Sequence, residues 1–256
     1  MFYIANHCHD QSGFLPAGDK PRTLGRLEKI NEYHGPMNQT DIEQARFNMI
    51  EQQVRPWDVL DQRVLDTMKR IPREDFVPER YRSLAFADSC IPLGHGQFMM
   101  APKVEGRMLQ ALAISPQDSI LEIGTGSGYV TACLASLGRQ VTSIDILSEF
   151  TEAAAARLAS HNISNVSLQT ADAAAGVDAS ERYDVIAVTG SLPMLQQQYH
   201  QNLEIGGRLF VIAGTPPVME ALLITRINET SWKRESLFET SLPPLVHASA
   251  PQGFVF

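Results

Sequence analysis

The chain has little of what marks membrane, metal-binding or nucleic-acid-binding proteins. Its three cysteines are far apart in 256 residues, which predicts neither a disulfide framework nor a zinc site. No apolar run approaches the ~18 residues that a membrane span needs. The net charge is −8, from 21 basic and 29 acidic residues, and argues against tight binding to nucleic-acid phosphates. We therefore expect no metal site, no membrane association and no stable nucleic-acid partner.

The first residues also lack the basic start and the apolar run of a secretory signal. Together with the sparse cysteines, this predicts a cytoplasmic protein. What remains is an ordinary globular composition, in which 44% of the residues are apolar and 20% are charged. A chain of this length is enough for one large domain or two small ones.

The sequence pattern changes at two places along the chain. Residues 1–36 are rich in Gly, Pro, Asn and His and have no sustained period, which predicts a flexible extension. A helix start at Asn38 then opens a single folded domain over 37–256. Within that domain we expect a helical cap with the substrate-side loop over 37–115 and the core over 116–256.

From residue 118 onwards, strand and helix patterns alternate, as is typical of a mostly parallel α/β sheet with right-handed crossovers. The predicted helices lie near 128–137, 148–161 and 194–203. The predicted strands are seven in number and lie near 119–123, 140–145, 166–170, 183–189, 207–213, 219–227 and 234–240. Because only a short polar turn at 228–230 joins the last two, they should form an antiparallel hairpin at one edge.

A glycine-rich turn between the first of these strands and the next helix concentrates the chemistry. It reads Glu-x-Gly-x-Gly-x-Gly from Glu122 to Gly128. Glycines permit positive φ and let N–H groups approach a ligand closely, and a helix N-terminus favours a carboxylate or phosphate. A dinucleotide fingerprint starting at Gly124 would need a glycine where Tyr129 stands, so the turn differs from that motif.

Two carboxylates follow the next two strands. Asp145 ends the second strand, where an acid can accept hydrogen bonds from both hydroxyls of a ribose. Asp172 follows the third strand, where it can accept from the amino group of an adenine. Three features in register with three successive strands predict a cofactor site in the crevice that they share.

These motifs resemble known ones. The glycine turn is similar to the first motif of class I S-adenosylmethionine-dependent methyltransferases. Residues 60–213 resemble the protein-L-isoaspartate O-methyltransferase family: 72–78 matches its signature ahead of the core, 91–97 its Pro-Ile-Gly-x-Gly-Gln loop, and 183–189 its fourth motif. The resemblance implies a Rossmann-like, doubly wound sheet with an N-terminal helical cap. It also implies S-adenosyl-L-methionine as methyl donor and methyl esterification of isoaspartyl residues in damaged protein.

The resemblance assigns the cofactor-binding residues one by one. They are the glycine turn, the two acids and the residue that follows each acid: Glu122, Gly124, Thr125, Gly126, Ser127, Gly128, Asp145, Ile146, Asp172 and Ala173.

The substrate loop departs from the family pattern. After Gly-Gln the family has Thr-Ile-Ser, whereas here Gln97 is followed by Phe98, Met99 and Met100, so two hydroxyl donors are replaced by large apolar groups. Three hypotheses for the function follow. The acceptor is an isoaspartyl protein or peptide; or it is a small apolar or aromatic metabolite, a modified peptide or an RNA base; or the protein binds the cofactor without transferring its methyl group.

Three polar residues are candidates for a catalytic role. His95 in the loop could act as a base for a hydroxyl or amine acceptor. Thr189 and Ser191, at the end of the fourth strand, either replace the missing hydroxyls or cap the next helix. A carboxylate acceptor has a reference pKa near ~4 and needs no general base at neutral pH. The residues alone do not choose among the three, and they do not give the oligomeric state.

Overall fold

The computed structural model describes residues 38–178 and 180–249. The predicted flexible extension, 1–36, lies outside these residues, and the predicted division of the domain at 115 stays a prediction.

The helical cap begins where the sequence predicts it. The side chain of Asn38 accepts a backbone N–H of the first turn and so caps α1, Gln39–Met49. The chain then continues through a π-helical turn, Ile50–Val54, and a 3-10 turn, Arg55–Trp57, in which Pro56 cannot continue the α-helical hydrogen bonds. α2, Gln62–Arg70, follows.

The third helix of the cap leads from the substrate loop towards the sheet. α3, Pro102–Leu112, carries proline in its first turn and is buried along most of its length. It packs against the π-helical turn, α2 and the sheet, so its first turn holds the preceding loop against the body of the protein.

The sequence predicts a loop over 91–97, and the structure corrects this. It contains an antiparallel hairpin of β1, Ile91–Gly94, and β2, Gln97–Met99. The turn residues 94–96 all have positive φ, at 107°, 52° and 70°, and reverse the chain within three residues. The glycines on which the loop prediction was based belong to this tight turn. The two short strands on either side of it were therefore not predicted.

The central sheet has the seven strands that the sequence predicts, in the order β5-β4-β3-β6-β7-β8-β9. β3 to β7 are parallel, and β8 and β9 form the expected antiparallel hairpin at one edge. The strands are β3 Ser119–Ile123, β4 Gln140–Asp145, β5 Val166–Thr170, β6 Tyr183–Leu192, β7 Leu203–Thr215, β8 Val218–Arg226 and β9 Trp232–Thr240. The helices between them are α4 Tyr129–Leu137, α5 Ser148–Ser160 and α6 Gln197–Gln201.

The fourth strand of this sheet is longer than predicted, and the helix after it is shorter. β6 continues to Leu192 because Ser191 and Leu192 pair with β7. Ser191 also pairs with the C-terminal segment: its N–H donates to the Pro243 carbonyl and its carbonyl accepts the Leu245 N–H. Local pattern could not reveal this pairing, since the partner lies far along the chain.

The strand order creates a crevice at β3. From β3 the chain builds outwards through β4 and β5 on one side, and then returns to build β6 and β7 on the other. The crossovers diverge at the carboxyl ends of β3 and β6, which leaves an open edge between them. In such sheets this is the position of the ligand.

Two observations bear on the expected compartment. Cys133 is a buried free thiol, but Cys90 is disulfide-bonded, so the expected lack of disulfides is wrong for Cys90. Among the helices of the described residues, none combines the length and apolarity that a bilayer crossing requires.

The close approach of α3 to the cap gives a test of the packing. A Cβ on Gly106 would lie 2.8 Å from Val54 Cγ1 and 3.2 Å from Val59 Cγ2. In an exposed helix Gly→Ala stabilises by about 1 kcal/mol, but here the crowding should outweigh that gain. We expect Gly106→Ala to lower the free energy of unfolding by about 1–3 kcal/mol, measured by urea denaturation. A raised urea midpoint would show that the helices are not packed this closely.

Candidate active site

A cavity lies at the carboxyl ends of the parallel strands and is closed on one side by the β1–β2 hairpin. Its walls are the glycine loop, the residues that follow β3, β4 and β5, the β2 strand, and Leu245 and Val246 of the C-terminal segment. It is therefore the crevice that the strand order predicts, roofed by two segments that lie outside the sheet.

The glycine loop can approach a ligand because it carries almost no side chains. Gly124, Gly126 and Gly128 have φ of 98°, 50° and 84°. A Cβ on Gly124 would lie 2.4 Å from Thr189 Oγ1, and one on Gly126 would lie 3.1 Å from Leu93 Cδ1. Gly128 is the N-cap of α4, so the loop leads into the positive end of a helix.

Asp145 lies in the cavity wall at the end of β4 and is 8% exposed. One of its carboxylate oxygens accepts the Gly126 N–H at 2.9 Å, and the other accepts the Leu147 N–H at 3.0 Å. A carboxylate has about four lone-pair positions, so two remain for a ligand. These hydrogen bonds fix the carboxylate and connect it to the glycine loop. Ile146 lines the cavity beside it.

Asp172 lies at the other end of the cavity and is half-exposed. Its Oδ2 is 2.8 Å from His247 Nδ1, and its Oδ1 accepts the Ala174 N–H at 3.0 Å. The hydrogen bond from His247, followed by that from Ala174, holds the pKa of Asp172 below its ordinary value. The carboxylate is therefore a permanent acceptor at neutral pH. Ala173 lines the cavity next to it.

Glu122 does not reach the cavity, although it was expected among the cofactor-binding residues. Its side chain is fully buried behind the loop, where Oε2 accepts hydrogen bonds from Ser143 and Thr131. Ser143 is in turn 2.7 Å from Thr125 Oγ1 in the glycine loop. Burial raises the pKa of Glu122 to about 8. In this structure Glu122 supports the loop from beneath through a chain of hydroxyls.

The substrate loop is held by a buried arginine. Arg73 is fully buried, and its guanidinium donates to the carbonyls of Ala85 at 2.8 Å and Met100 at 2.7 Å, and to the carboxylate of Glu105. Burial raises the pKa of Glu105, although the neighbouring Arg73 opposes this. The Arg73 guanidinium, which is held by its three acceptors, thus fixes the backbone at Met100.

The four substrate-loop residues all line the cavity, as the sequence predicts for their position. Met99 and Met100 are 4% and 3% exposed and belong to the main hydrophobic core. Gln97 and Phe98 are partly exposed at the mouth. The departure from the family's Thr-Ile-Ser therefore gives the cavity an apolar wall beside the glycine loop.

The three catalytic candidates are not brought together. His95 lies in the hairpin turn outside the cavity, with Nε2 2.6 Å from Glu149 Oε2. Thr189 lines the cavity, but its hydroxyl donates to the Ile123 carbonyl at 3.0 Å. Ser191 is fully buried, and its hydroxyl donates to the Leu242 carbonyl at 2.7 Å. Since both hydroxyl residues lie within β6, neither caps a helix.

Sequence reasoning missed most of the apolar wall. The residues next to the motifs, Ile123, Ile144 and Leu147, could have been inferred from the strands that they end or follow. Phe150 belongs to the helix that follows β4, and Leu93 belongs to the unpredicted hairpin. Leu245 and Val246 carried no local signal, because only tertiary pairing brings them to the cavity.

Fold and site together define a class I S-adenosylmethionine-dependent methyltransferase. A sequence profile of the family described as "Protein-L-isoaspartate(D-aspartate) O-methyltransferase (PCMT)" matches residues 44–249. The chain belongs to this family.

Relatives and solved structures agree with that assignment. The chain is 36% identical over 216 residues to "Protein-L-isoaspartate O-methyltransferase 1" of Rhodopseudomonas palustris, covering 83% of this chain and 88% of that one. It is 35% identical over 207 residues to a "Protein-L-isoaspartate O-methyltransferase 2" of Marinobacter nauticus, covering 80% and 94%. A putative family member from Plasmodium falciparum, in complex with S-adenosyl-L-homocysteine, shares the fold with a TM-score of 0.66 at 18% identity, covering 80% and 97%.

The cavity fits S-adenosyl-L-methionine, the cofactor of this family. The glycine loop would let the methionine carboxylate approach the N-terminus of α4, since its glycines carry no Cβ to block the way. Asp145 retains lone pairs that would accept the ribose hydroxyls, and the ionised Asp172 would accept the adenine amino group. The apolar side chains between them suit the adenine ring and the methylthio region.

The role of Asp145 can be tested with S-adenosyl-L-homocysteine. Each hydrogen bond to a charged acceptor is worth about 1.5–3 kcal/mol, so Asp145→Asn should weaken binding by at least about tenfold. The ligand-induced rise in melting temperature should fall accordingly. Calorimetric titration of both proteins measures the change, with unliganded melting temperatures as the folding control. Equal affinities would remove Asp145 from the ribose site.

The buried Glu122 should make stability depend on pH. Its pKa is about 8 in the folded protein against an ordinary 4.5, so the folded state holds a proton that the unfolded state has lost between these values. The stability that this group contributes is complete below about pH 4.5 and is lost as the pH rises towards about 8. Glu122→Gln removes this titration.

We therefore expect the melting temperature of Glu122→Gln, relative to the parent protein, to increase steadily from pH 5 to pH 8. A difference that stays constant with pH would mean that Glu122 is ionised in the folded protein across this range.

Proposed function

We propose that this protein transfers a methyl group from S-adenosyl-L-methionine to the free α-carboxylate of an isoaspartyl residue in a protein or peptide. The observation that carries the proposal is the family match over 44–249, which includes both the cofactor cavity and the hairpin that closes it. The glycine loop and the substrate loop line the same cavity, which supports a donor site that is continuous with the acceptor site. A protein or peptide acceptor and a cytoplasmic location belong to this proposal.

The chemistry asks little of the protein beyond alignment. S-adenosyl-L-methionine supplies an electrophilic methyl group on a sulfonium. A carboxylate oxygen of the acceptor forms a bond to the methyl carbon while the carbon–sulfur bond breaks, and the electron pair of that bond stays on sulfur. The acceptor is already ionised at neutral pH, so no base is required. This agrees with the position of His95 outside the cavity.

Alignment and exclusion of water are what this chain provides. Arg73 fixes the backbone at Met100, and the side chains of Phe98, Met99 and Met100 make this wall of the cavity apolar. A charged acceptor oxygen in such surroundings loses its hydration. Holding this oxygen and the methyl group in the reacting orientation lowers the activation barrier by several kcal/mol.

Release of methanol tests the proposal directly, because the ester product hydrolyses. We expect labelled methanol from an isoaspartyl peptide and S-adenosyl-L-methionine labelled in the methyl group, and none from the same peptide with an ordinary aspartyl residue. Turnover should be saturable in both substrates. Absence of methanol, with cofactor binding intact by calorimetry, would contradict the proposal.

The apolar wall favours a second candidate, a methyl acceptor other than isoaspartate. Phe98 and Met100 stand where the family pattern has hydroxyl residues, and a flat or apolar acceptor would pack against them. The acceptor would then be a small apolar or aromatic molecule, a modified peptide or an RNA base.

One substitution separates the two candidates. Phe98→Thr restores a hydroxyl at the mouth of the cavity, where the side chain is partly exposed and tolerates truncation. If the acceptor is an isoaspartyl carboxylate, kcat/KM for the peptide should rise about tenfold, as one added hydrogen bond to a charged group allows. If the acceptor is apolar, the peptide rate should not improve, and turnover of that acceptor should fall.

A further inference from the structure

Few side chains around the acceptor end of the cavity have a hydrogen-bond donor to spare. The hydroxyl of Thr189 donates to the backbone of β3, and that of Thr125 is paired with Ser143 behind the glycine loop. Ser127 keeps its hydroxyl proton, but it belongs to the glycine loop, where its oxygen accepts the Tyr129 N–H. The three nitrogens of the Arg73 guanidinium all have acceptors within the protein.

Gln97 is different. Among the described side chains that line the cavity, it carries the one N–H donor, because the other polar members are hydroxyls and carboxylates. Its amide makes no hydrogen bond to any described residue, although it is partly buried. It opens β2, opposite Gly94 across the hairpin, so its backbone is held by strand pairing while its side chain remains uncommitted. The side-chain amide of Gln97, which has no partner among the described residues and lies at the mouth of an otherwise apolar wall, is therefore available to bind a ligand.

We infer that the Gln97 side-chain amide binds the isoaspartyl residue and takes over the recognition that the missing loop hydroxyls would perform. The inference rests on the proposed function. Nε2 donates to the α-carboxylate of the acceptor, and Oε1 accepts the N–H of the same isoaspartyl residue.

The shape of the acceptor explains why an amide suits it. In an isoaspartyl residue the free carboxylate and the N–H are attached to the same carbon, so a donor and an acceptor on one planar group can reach both. In an ordinary aspartyl residue the free carboxylate lies one carbon further from the N–H. A primary amide, which holds an N–H donor and an oxygen acceptor side by side, therefore favours the isoaspartyl arrangement.

The contact should act on binding more than on the chemical step. The carboxylate is fully charged in the ground state and loses charge as the ester forms, so a donor to it is stronger before the transition state than in it. Removing the donor should therefore raise KM for the peptide with little change in kcat.

The experiment compares Gln97→Met, which keeps the length of the side chain, with Gln117→Met, the same change at an exposed turn residue outside the cavity. For Gln97→Met we expect KM for an isoaspartyl peptide to rise about tenfold or more, with kcat within threefold. The affinity for S-adenosyl-L-homocysteine and the melting temperature should stay at parent values. Gln117→Met should change none of these.

A second peptide tests the oxygen of the amide. Methylating the isoaspartyl nitrogen removes the N–H that Oε1 would accept, so the parent enzyme should lose affinity for this peptide while Gln97→Met loses little more. If Gln97→Met binds both peptides as the parent does, the assignment of Gln97 is wrong while the proposed function stands. If the parent itself does not methylate the isoaspartyl peptide, both are overturned.

Discussion

The arrangement of this active site depends on a single buried guanidinium. Arg73 connects three parts of the chain: the turn at Ala85, the end of the substrate loop at Met100, and α3 through Glu105. A charge at this depth is costly to desolvate, and removing either partner of such a pair typically costs about 3–5 kcal/mol. The pair is thus weak evidence for stability but strong evidence for a defined geometry, because one arrangement alone satisfies all three acceptors.

A second polar network fixes the glycine loop, as Arg73 fixes the substrate loop. Glu122 lies beneath the glycine loop and reaches it through Ser143 and Thr125, while Asp145 holds Gly126 from the side. The loop itself contributes almost no side chains, so its rigidity comes from these neighbours. The glycine loop and the substrate loop are therefore both positioned by polar groups that lie behind the cavity wall. The side chains of the wall itself can then be apolar.

The sequence predicted the sheet well because its signals are local. Strands such as Val166–Thr170 have the predicted bounds, and the caps at Asn38 and Asp61 mark helix starts that need only neighbouring residues to form. The cofactor motifs were equally readable, since the glycines and acids stand at strand ends where the topology must bring them together. The prediction failed at two places for different reasons. The hairpin at Ile91–Met99 is local, but the glycines of its tight turn were taken for a loop, whereas the extension of β6 depends on pairing with distant segments.

The candidate site shows the same division. Asp145 ends a strand and Asp172 follows one by two residues, so the sequence pattern reveals both acids. Glu122 fits the same pattern, but its side chain is buried in the body of the protein. The spacing of residues along the sequence does not reveal which way a side chain is oriented. Leu245 could not have been placed from sequence at all, because its position follows from backbone pairing with Ser191.

That pairing has a consequence for how the protein is made. The glycine loop and the strands beside it are synthesised well before the segment that lays Leu245 and Val246 over the cavity. On a ribosome the sheet can assemble while this segment is still inside the exit tunnel, leaving the edge of β6 without its partner and the cavity without its roof. A nascent chain therefore holds an incomplete pocket until the segment around Leu245 has emerged, and a chain cut short before Pro243 would keep most of its sheet yet leave the cavity open on this side.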